Sequence, residues 1–314
     1  MLAAATLPLA ASAAPFPSKT VRIFVPNGAG GAADLTARLV AEHLAALVGQ
    51  AVIIENRPGA GGIVAAAQVA HAEPDGHTLL LVSSGTAVSA ALFKSLPFDT
   101  RNDFAPVSLL ATFDLAIVAK PGGRFSSLNA LLAYAQSSPG KLNIGTPQVG
   151  TTQNLAAELF KASARIDAQV IPFNGTPPLI TALRGGEIDA AIDILGPLMP
   201  QISAQTVVPL AVLGSQRAAQ LPDVPTASST GGALARFEVS SWNGLAVPAR
   251  TPPATIARLN REIQAVLGQP DVRKRLADMN LSAQGSSPAQ LAERMAADIQ
   301  RWSGVIARAK IPRQ

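Results

Sequence analysis

Pro26-Asn27-Gly28-Ala29-Gly30-Gly31 is the first stretch whose composition invites chemistry. Glycines let backbone N–H groups approach a ligand without interference from a Cβ. The stretch follows the β-branched run Val21–Val25 and precedes a helical pattern. It therefore opens a helix N-terminus, where unpaired N–H groups and the helix dipole attract anions. Gly28-x-Gly30-x-x-Ala33, with Glu55 closing the next strand, approximates the fingerprint that holds dinucleotides. An NAD(P)-dependent oxidoreductase is thus one alternative. Against it, Pro26 and Asn27 interrupt the strand-to-glycine junction, and Asp34 puts negative charge where a pyrophosphate would lie. A carboxylate suits such a turn as readily as a phosphate, and Asp34 then caps or braces the adjacent loops.

Two further loops have the same character. Ser83-Ser84-Gly85-Thr86 follows an apolar strand, and Gln148-Val149-Gly150-Thr151-Thr152 lies between a strand and a helix. Each alone is ordinary helix-capping chemistry. Three such loops in one α/β chain could wrap a small anion in hydrogen bonds without a fixed positive side chain, at the strand ends where open sheets bind ligands. Catalytic signatures are missing: there is no G-x-S-x-G elbow, no phosphate-binding P-loop and no H-E-x-x-H pair. His43, His71 and His77 form no ligand pair. Asp189 and Asp193 share a strand face, and a polar strand end facing a cleft describes them better than an acid/base pair.

The elements that position these loops alternate. Strand-like runs at Val21–Val25, Ala51–Ile54 and Thr78–Val82 are separated by helical patterns over Ala32–Val48 and up to His71. Further strands are expected at Leu115–Ala119, Leu142–Gly145, Ala168–Ile171, Ile188–Ile194 and Val207–Leu213. Helices are expected at Leu128–Gln136, Asn154–Ala162 and Leu179–Leu183. This alternation predicts a parallel α/β architecture. Val107–Val118 and Val239–Val247 are long apolar runs suited to crossing between lobes. The last third is helical, with Leu291, Met295, Ile299, Trp302 and Ile306 on one stripe that packs on the core.

The 314 residues suffice for about two domains. Charged residues make up 14%, and the absence of cysteine excludes disulfides, thiolate metal sites and thiol nucleophiles. A net charge of +5 suits anionic ligands, but scattered basic residues with 4% aromatics do not suggest nucleic acid. Residues 1–13 read as the apolar core and A-x-A cleavage site of a secretory signal without its charged beginning, so the mature chain is expected to start near Ala14. No later stretch supplies the ~20 apolar residues of a membrane span.

From about Pro17 to Ala309 the chain resembles the solute-binding receptors of tripartite tricarboxylate transporters, the Bug proteins. The markers occur in order: Pro17-x-Lys19-x-Val21-Arg22, Gly30-Gly31-x-x-Asp34, Glu55-Asn56-Arg57-Pro58-Gly59-Ala60-Gly61-Gly62, Pro74-Asp75-Gly76-His77-Thr78, Asp103-Phe104-Ala105-Pro106, Pro139-Gly140-Lys141, Leu221-Pro222-Asp223-Val224-Pro225 and Ser241-Trp242-x-Gly244. The resemblance implies a two-lobed, type II periplasmic-binding-protein-like α/β fold. Each lobe would be a mostly parallel sheet flanked by helices, joined by a double crossover hinge. Lobe 1 is expected at 14–112 and 242–314, and lobe 2 at 113–241. It implies a periplasmic monomer without cofactor or catalysis, which closes on a small carboxylate and delivers it to membrane permease subunits. A sensor for a signalling partner is an alternative with the same fold. By this resemblance Asn27–Gly31, including Ala29, supply main-chain donors. Ser83, Ser84, Thr86, Gln148, Gly150, Thr151 and Thr152 line the cleft. Phe173, Asn174 and Asp193 lie near the ligand's distal end. The chain departs from the family at Asn27, where an aromatic is common, and at Ala33, where a Thr or Ser hydroxyl is common. Phe173-Asn174-Gly175 replaces Tyr-Lys-Gly, and Gln148-Val149-Gly150 replaces a loop richer in Asn and Gly. These losses point to a ligand less highly charged than citrate.

Overall fold

The computed structural model describes residues 16–309 and 311–314. The expected leader and the start at Ala14 lie outside the described residues. Ten strands and ten α-helices follow in the order β1 Val21–Val25, α1 Ala32–Val48, β2 Val52–Asn56, α2 Ile63–Ala70, β3 Thr78–Ser83, α3 Ser84–Leu92, β4 Phe104–Ala119, α4 Leu128–Ser137, β5 Leu142–Pro147 and α5 Thr152–Ala164. The chain continues through β6 Ala168–Phe173, α6 Thr176–Gly185, β7 Ala190–Ile194, α7 Leu195–Ser203, β8 Val208–Val212, β9 Ser240–Pro248, α8 Pro253–Gly268, α9 Pro270–Asp278, β10 Leu281–Ala283 and α10 Pro288–Arg308.

The strands form two sheets that share β4. From Phe104 to Asp114 this strand pairs antiparallel with β9, and from Leu115 to Ala119 it pairs with β7 and β8. The first sheet runs β2-β1-β3-β9-β4 and the second β4-β7-β5-β6, with β10 and β8 on the other side of β4. Each lobe contains a parallel trio, β2-β1-β3 and β6-β5-β7, while the crossover strands add antiparallel neighbours. Of the two apolar runs expected to cross between lobes, Val107–Val118 does so within β4, whereas Val239–Val247 lies almost wholly in β9, which pairs only within the first sheet. The chain returns where Val239 N–H donates to Leu213 O at 2.8 Å, just before β9.

Burial explains the pattern. Ile23 and Val25 in β1 and Leu79, Leu81 and Val82 in β3 are fully buried between helices, as parallel strands require. In α10 all five stripe residues are buried on the first lobe. Gly244 is necessary there, because a Cβ would sit 2.9 Å from the Leu291 side chain and 3.0 Å from Ser108 O. Trp242 beside it is 1% exposed, and its indole N–H donates to Asp298 Oδ2 at 2.6 Å. Burial of a Leu of this kind stabilises by roughly 1.5–3 kcal/mol, so Gly244→Ala would cost stability by dislodging α10. Among the described residues, no helix is long and apolar enough to cross a membrane.

Candidate functional site

The C-terminal ends of β1, β3, β5, β6 and β7 run into the N-termini of α1, α3, α5, α6 and α7, and these five termini converge on one cavity between the lobes. Its wall includes Gly31 and Ala32 of α1, Gly85 and Thr86 of α3, Thr152 and Gln153 of α5, Gly175 and Thr176 of α6, and Ile194 before α7. Pro26, Phe113, Pro147, Ser241 and Asn243 also face it. None of the lining residues is charged. The lobes are closed, leaving about 50 Å³ for water centres, against the ~10–15 Å³ that one water needs.

Four of the five termini fall into two pairs that face each other across the cleft, and α7 stands apart, beginning after Ile194 with no side-chain cap. In the first, α3 is capped by Ser83, whose Oγ accepts from Gly85 N–H while Thr86 Oγ1 accepts from Ser83 N–H. Opposite, α5 is capped by Thr151, whose Oγ1 accepts from Asn154 N–H. Ser84 and Thr152 join across the gap, Oγ to Oγ1 at 2.6 Å, and Ser84 also bonds the Ser241 hydroxyl. In the second pair, α1 begins at Gly31 and α6 at Gly175, and no side chain caps either. Their first-turn N–H groups are the donors that an N-terminus leaves to a ligand. The two loops touch so closely that a Cβ on Gly28 would lie 3.2 Å from Asn174 O.

Asp34 organises the first of these bare termini. It accepts from Gly30 N–H at 2.9 Å, Arg38 Nε at 3.0 Å and Asn56 Nδ2 at 2.9 Å. Asn56 Nδ2 also donates to Asn27 O. Burial disfavours the charged carboxylate, but the bonds from Arg38, Gly30 and Asn56 outweigh it and hold its pKa below the ordinary value. The brace expected of Asp34 is thus present, and it explains why Glu55-Asn56-Arg57 is so distinctive. Glu55 itself pairs with Arg22 and Arg57 and does not line the cavity.

Of the residues singled out in the sequence, Asn27, Gly28, Gly31, Ser83, Thr86, Gln148, Gly150, Thr151 and Thr152 line the cavity. Ala29, Gly30, Ser84, Phe173, Asn174 and Asp193 do not. Gly30 serves the Asp34 brace with φ +80°, and Ser84 serves the contact between lobes. Phe173 packs on the second lobe's core. Asn174 Oδ1 accepts from Gln148 Nε2 at 2.6 Å. Asp193, 1% exposed, sits behind the wall and accepts from Gln153 Nε2, Thr176 Oγ1 and Ile194 N–H. Burial pushes its carboxyl upward despite those bonds. It orients two lining side chains rather than meeting the cavity. Asp189 is spent on Asn143 N–H.

Sequence reasoning passed over Gly61, Phe113, Gln153, Thr176, Ile194 and Asn243. Asn243 carried a usable signal: an amide inside the apolar run Val239–Val247 needs a buried partner, and its Nδ2 donates to Thr36 Oγ1 at 3.1 Å. Gly61 faces Gly150 across the cleft, each Cα within 3.0 Å of where the other's Cβ would stand. Ser89 Oγ lies 2.7 Å from Gly61 O and 3.1 Å from Gly150 O, one carbonyl from each lobe. Among the described residues no cluster of His, Cys, Asp or Glu could hold a metal ion.

Two α/β lobes hinged on shared strands, with an uncharged cleft built from helix N-termini, define a solute-binding protein of the periplasmic type. Residues 36–311 match the tripartite tricarboxylate transporter family receptor. BugT of Bordetella pertussis is 32% identical over 307 residues, which is 97% of this chain and 94% of that protein. Among solved structures, R. palustris Rpa4515 with adipate is 30% identical, with a TM-score of 0.91 over 95% of this chain and 99% of that one. MatC (Rpa3494) from Rhodopseudomonas palustris with bound malate is 35% identical, with a TM-score of 0.87 over 93% of this chain and 100% of that one. The chain belongs to the tripartite tricarboxylate transporter receptor family, and it is a solute-binding receptor of the Bug type.

Proposed function

We propose that this receptor captures a small carboxylate between its lobes, outside the cytoplasm, and presents it to the permease subunits of a tripartite transporter. The observation that carries this reading is the convergence of five helix N-termini on a cavity with no charged side chain. Such a site stabilises negative charge by dipoles and N–H groups alone, each terminus contributing roughly 0.3–1 kcal/mol or more when water is excluded. The adipate and malate in the two solved relatives support the ligand class. The lining residues Gly28, Gly31, Gly175 and Thr176 hold the carboxylate through backbone N–H groups, and Gln148, to which Asn174 is bonded from outside the lining, meets the ligand's far end. Neutral residues at Ala33 and Asn174 favour ligands with fewer charges than citrate.

In this reading, residues 14–112 and 242–314 form one lobe, 113–241 the other, and the monomer is exported by the leader at 1–13. The protein performs no catalysis and needs no cofactor.

The test is thermal unfolding of protein freed of ligand by unfolding and refolding, scanned against mono-, di- and tricarboxylates, acidic amino acids and NADH. A ligand at a hundredfold excess over Kd adds ~2.7 kcal/mol. A raised midpoint with one carboxylate class and none with NADH is expected. A shift with NADH alone would overturn the proposal in favour of dinucleotide binding, and a citrate response equal to the monocarboxylates' would refute the charge preference.

A further inference from the structure

At the far end of α3 from the ligand cavity lies a second depression of about 410 Å³, between the segment Ala90–Arg101, Ile299 of α10 and Arg313. Its apolar floor includes Phe93, Leu96 and Phe98. Its rim carries three cations, Lys94, Arg101 and Arg313. Among the described residues, none of the three lies within ion-pair distance of a carboxylate. The one acid in the wall, Asp99, is occupied by Arg101 N–H and by the Asn102 N–H and side-chain amide. These bonds hold Asp99 below the ordinary carboxylate value, so it stays an acceptor for its own loop. The Thr100 hydroxyl is buried in this wall without a hydrogen-bond partner, and a polar group left so costs stability unless something fills it.

We infer that this depression is a docking site for an acidic segment of a partner protein, one that places carboxylates on the cationic rim and an apolar side chain on the floor. Charge complementarity selects the partner: the rim offers three positive charges that no carboxylate among the described residues neutralises, one of them, Arg313, steadied by a bond from Nη2 to Phe93 O at 3.0 Å, and the floor offers aromatic surface. Geometry ties the site to closure. Phe93 forms part of the floor, and its ring edge lies 3.1 Å from where a Cβ on Gly61 would stand and 3.0 Å from the equivalent point on Gly150. One aromatic ring thus touches both lobes and the docking floor. When the lobes part, Gly150 leaves that ring, and the floor loses a support. The partner therefore reads the closed state at a surface outside the ligand cavity, through the glycines the two share as neighbours.

The experiment uses the folded full chain, isotopically labelled, with a short peptide in which glutamate alternates with leucine. The controls are the same peptide with glutamine for glutamate, and vesicles containing an anionic phospholipid. The expected result is saturable amide shifts confined to the segment 90–101 and its neighbours on α10. Binding should weaken at least tenfold for the glutamine peptide, for raised salt, and for the double variant Lys94→Glu with Arg101→Glu. Thr100→Val serves as a milder second variant and should weaken peptide binding while leaving the fold intact. Both variants should keep the parent's carboxylate affinity in the cleft. No saturable shift, equal binding of the glutamine peptide, or undiminished binding by the double variant would each overturn the inference. Binding to anionic vesicles without peptide binding would overturn it too, by making the patch a lipid-facing one.

Discussion

The two pairs of helix termini around the cleft occupy equivalent places in the fold and are built oppositely. The α3 and α5 termini bring their own caps, Ser83 and Thr151, and touch through Ser84 and Thr152. The α1 and α6 termini begin at Gly31 and Gly175 and have no side-chain cap. A cap satisfies N–H groups in the free protein, so a capped terminus has less to offer a ligand. The first pair is therefore suited to hold the lobes together, and the second to hold an anion. On the proposed reading, binding and closure are divided between neighbouring helices of one cleft.

The largest effect is expected from fixing the closing pair. Ser84→Cys with Thr152→Cys can be made without side reactions, since the chain has no cysteine of its own. The hydroxyl oxygens are 2.6 Å apart, so the two side chains already face each other across the gap. Oxidation should trap bound ligand and slow its exchange by far more than tenfold, with reduction restoring it. Exchange at the parent rate in a verified disulfide would show that the lobes need not part at this pair.

A smaller effect is expected from converting a bare terminus into a capped one. Gly31 has φ −85° and ψ 169°, which any residue can adopt, and a Cβ there would meet nothing closer than 3.7 Å. Gly31→Asp should therefore fold, cap α1 and stabilise the free protein by a few tenths of a kcal/mol. The same carboxylate would compete with the ligand's, lowering affinity about tenfold, which is ~1.4 kcal/mol. Calorimetry beside a thermal melt would read both, and undiminished affinity would break the comparison.

The smallest effect belongs to Thr151→Ala. Loss of this cap should cost about 1 kcal/mol of stability and leave ligand affinity nearly unchanged. A large affinity loss with little change in melting would mean that the Thr151 hydroxyl meets the ligand directly.

Much of this arrangement was legible in the residues. The runs Val21–Val25 and Thr78–Val82 become β1 and β3, because β-branched and leucine-rich stretches bounded by glycine turns fit a sheet covered on both faces. The long run Val107–Val118 lies within β4, whose 16 residues thread both sheets. Boundaries were less legible where capping decides them. Leu179–Leu183 lengthens to Thr176–Gly185, because Pro177 and Pro178 fit a first helical turn although prolines suggest a break. The helix Leu195–Ser203 went unseen because Pro197 and Pro200 mask it. In the site, glycine and hydroxyl loops announce themselves by composition. Gln153, Thr176 and Phe113 do not, since their meaning arises only when strands far apart in sequence bring them together. The role of Asp193 could not be read from its position, because a strand-end carboxylate can face a ligand or stand behind the residues that do.

The position of Ser89 bears on how long a solute is retained. A hydroxyl has one hydrogen to give, and here two carbonyls compete for it, Gly61 O of its own lobe and Gly150 O of the other. When the cleft opens, the hydrogen stays with Gly61 and water takes over Gly150, so no polar group is stranded along the way. A fastening that never has to be fully broken adds little to the barrier for release. On the proposed reading, residence time is then set by the Ser84–Thr152 contact and the solute's own grip on the bare helix ends, and a weakly held cargo can be surrendered promptly.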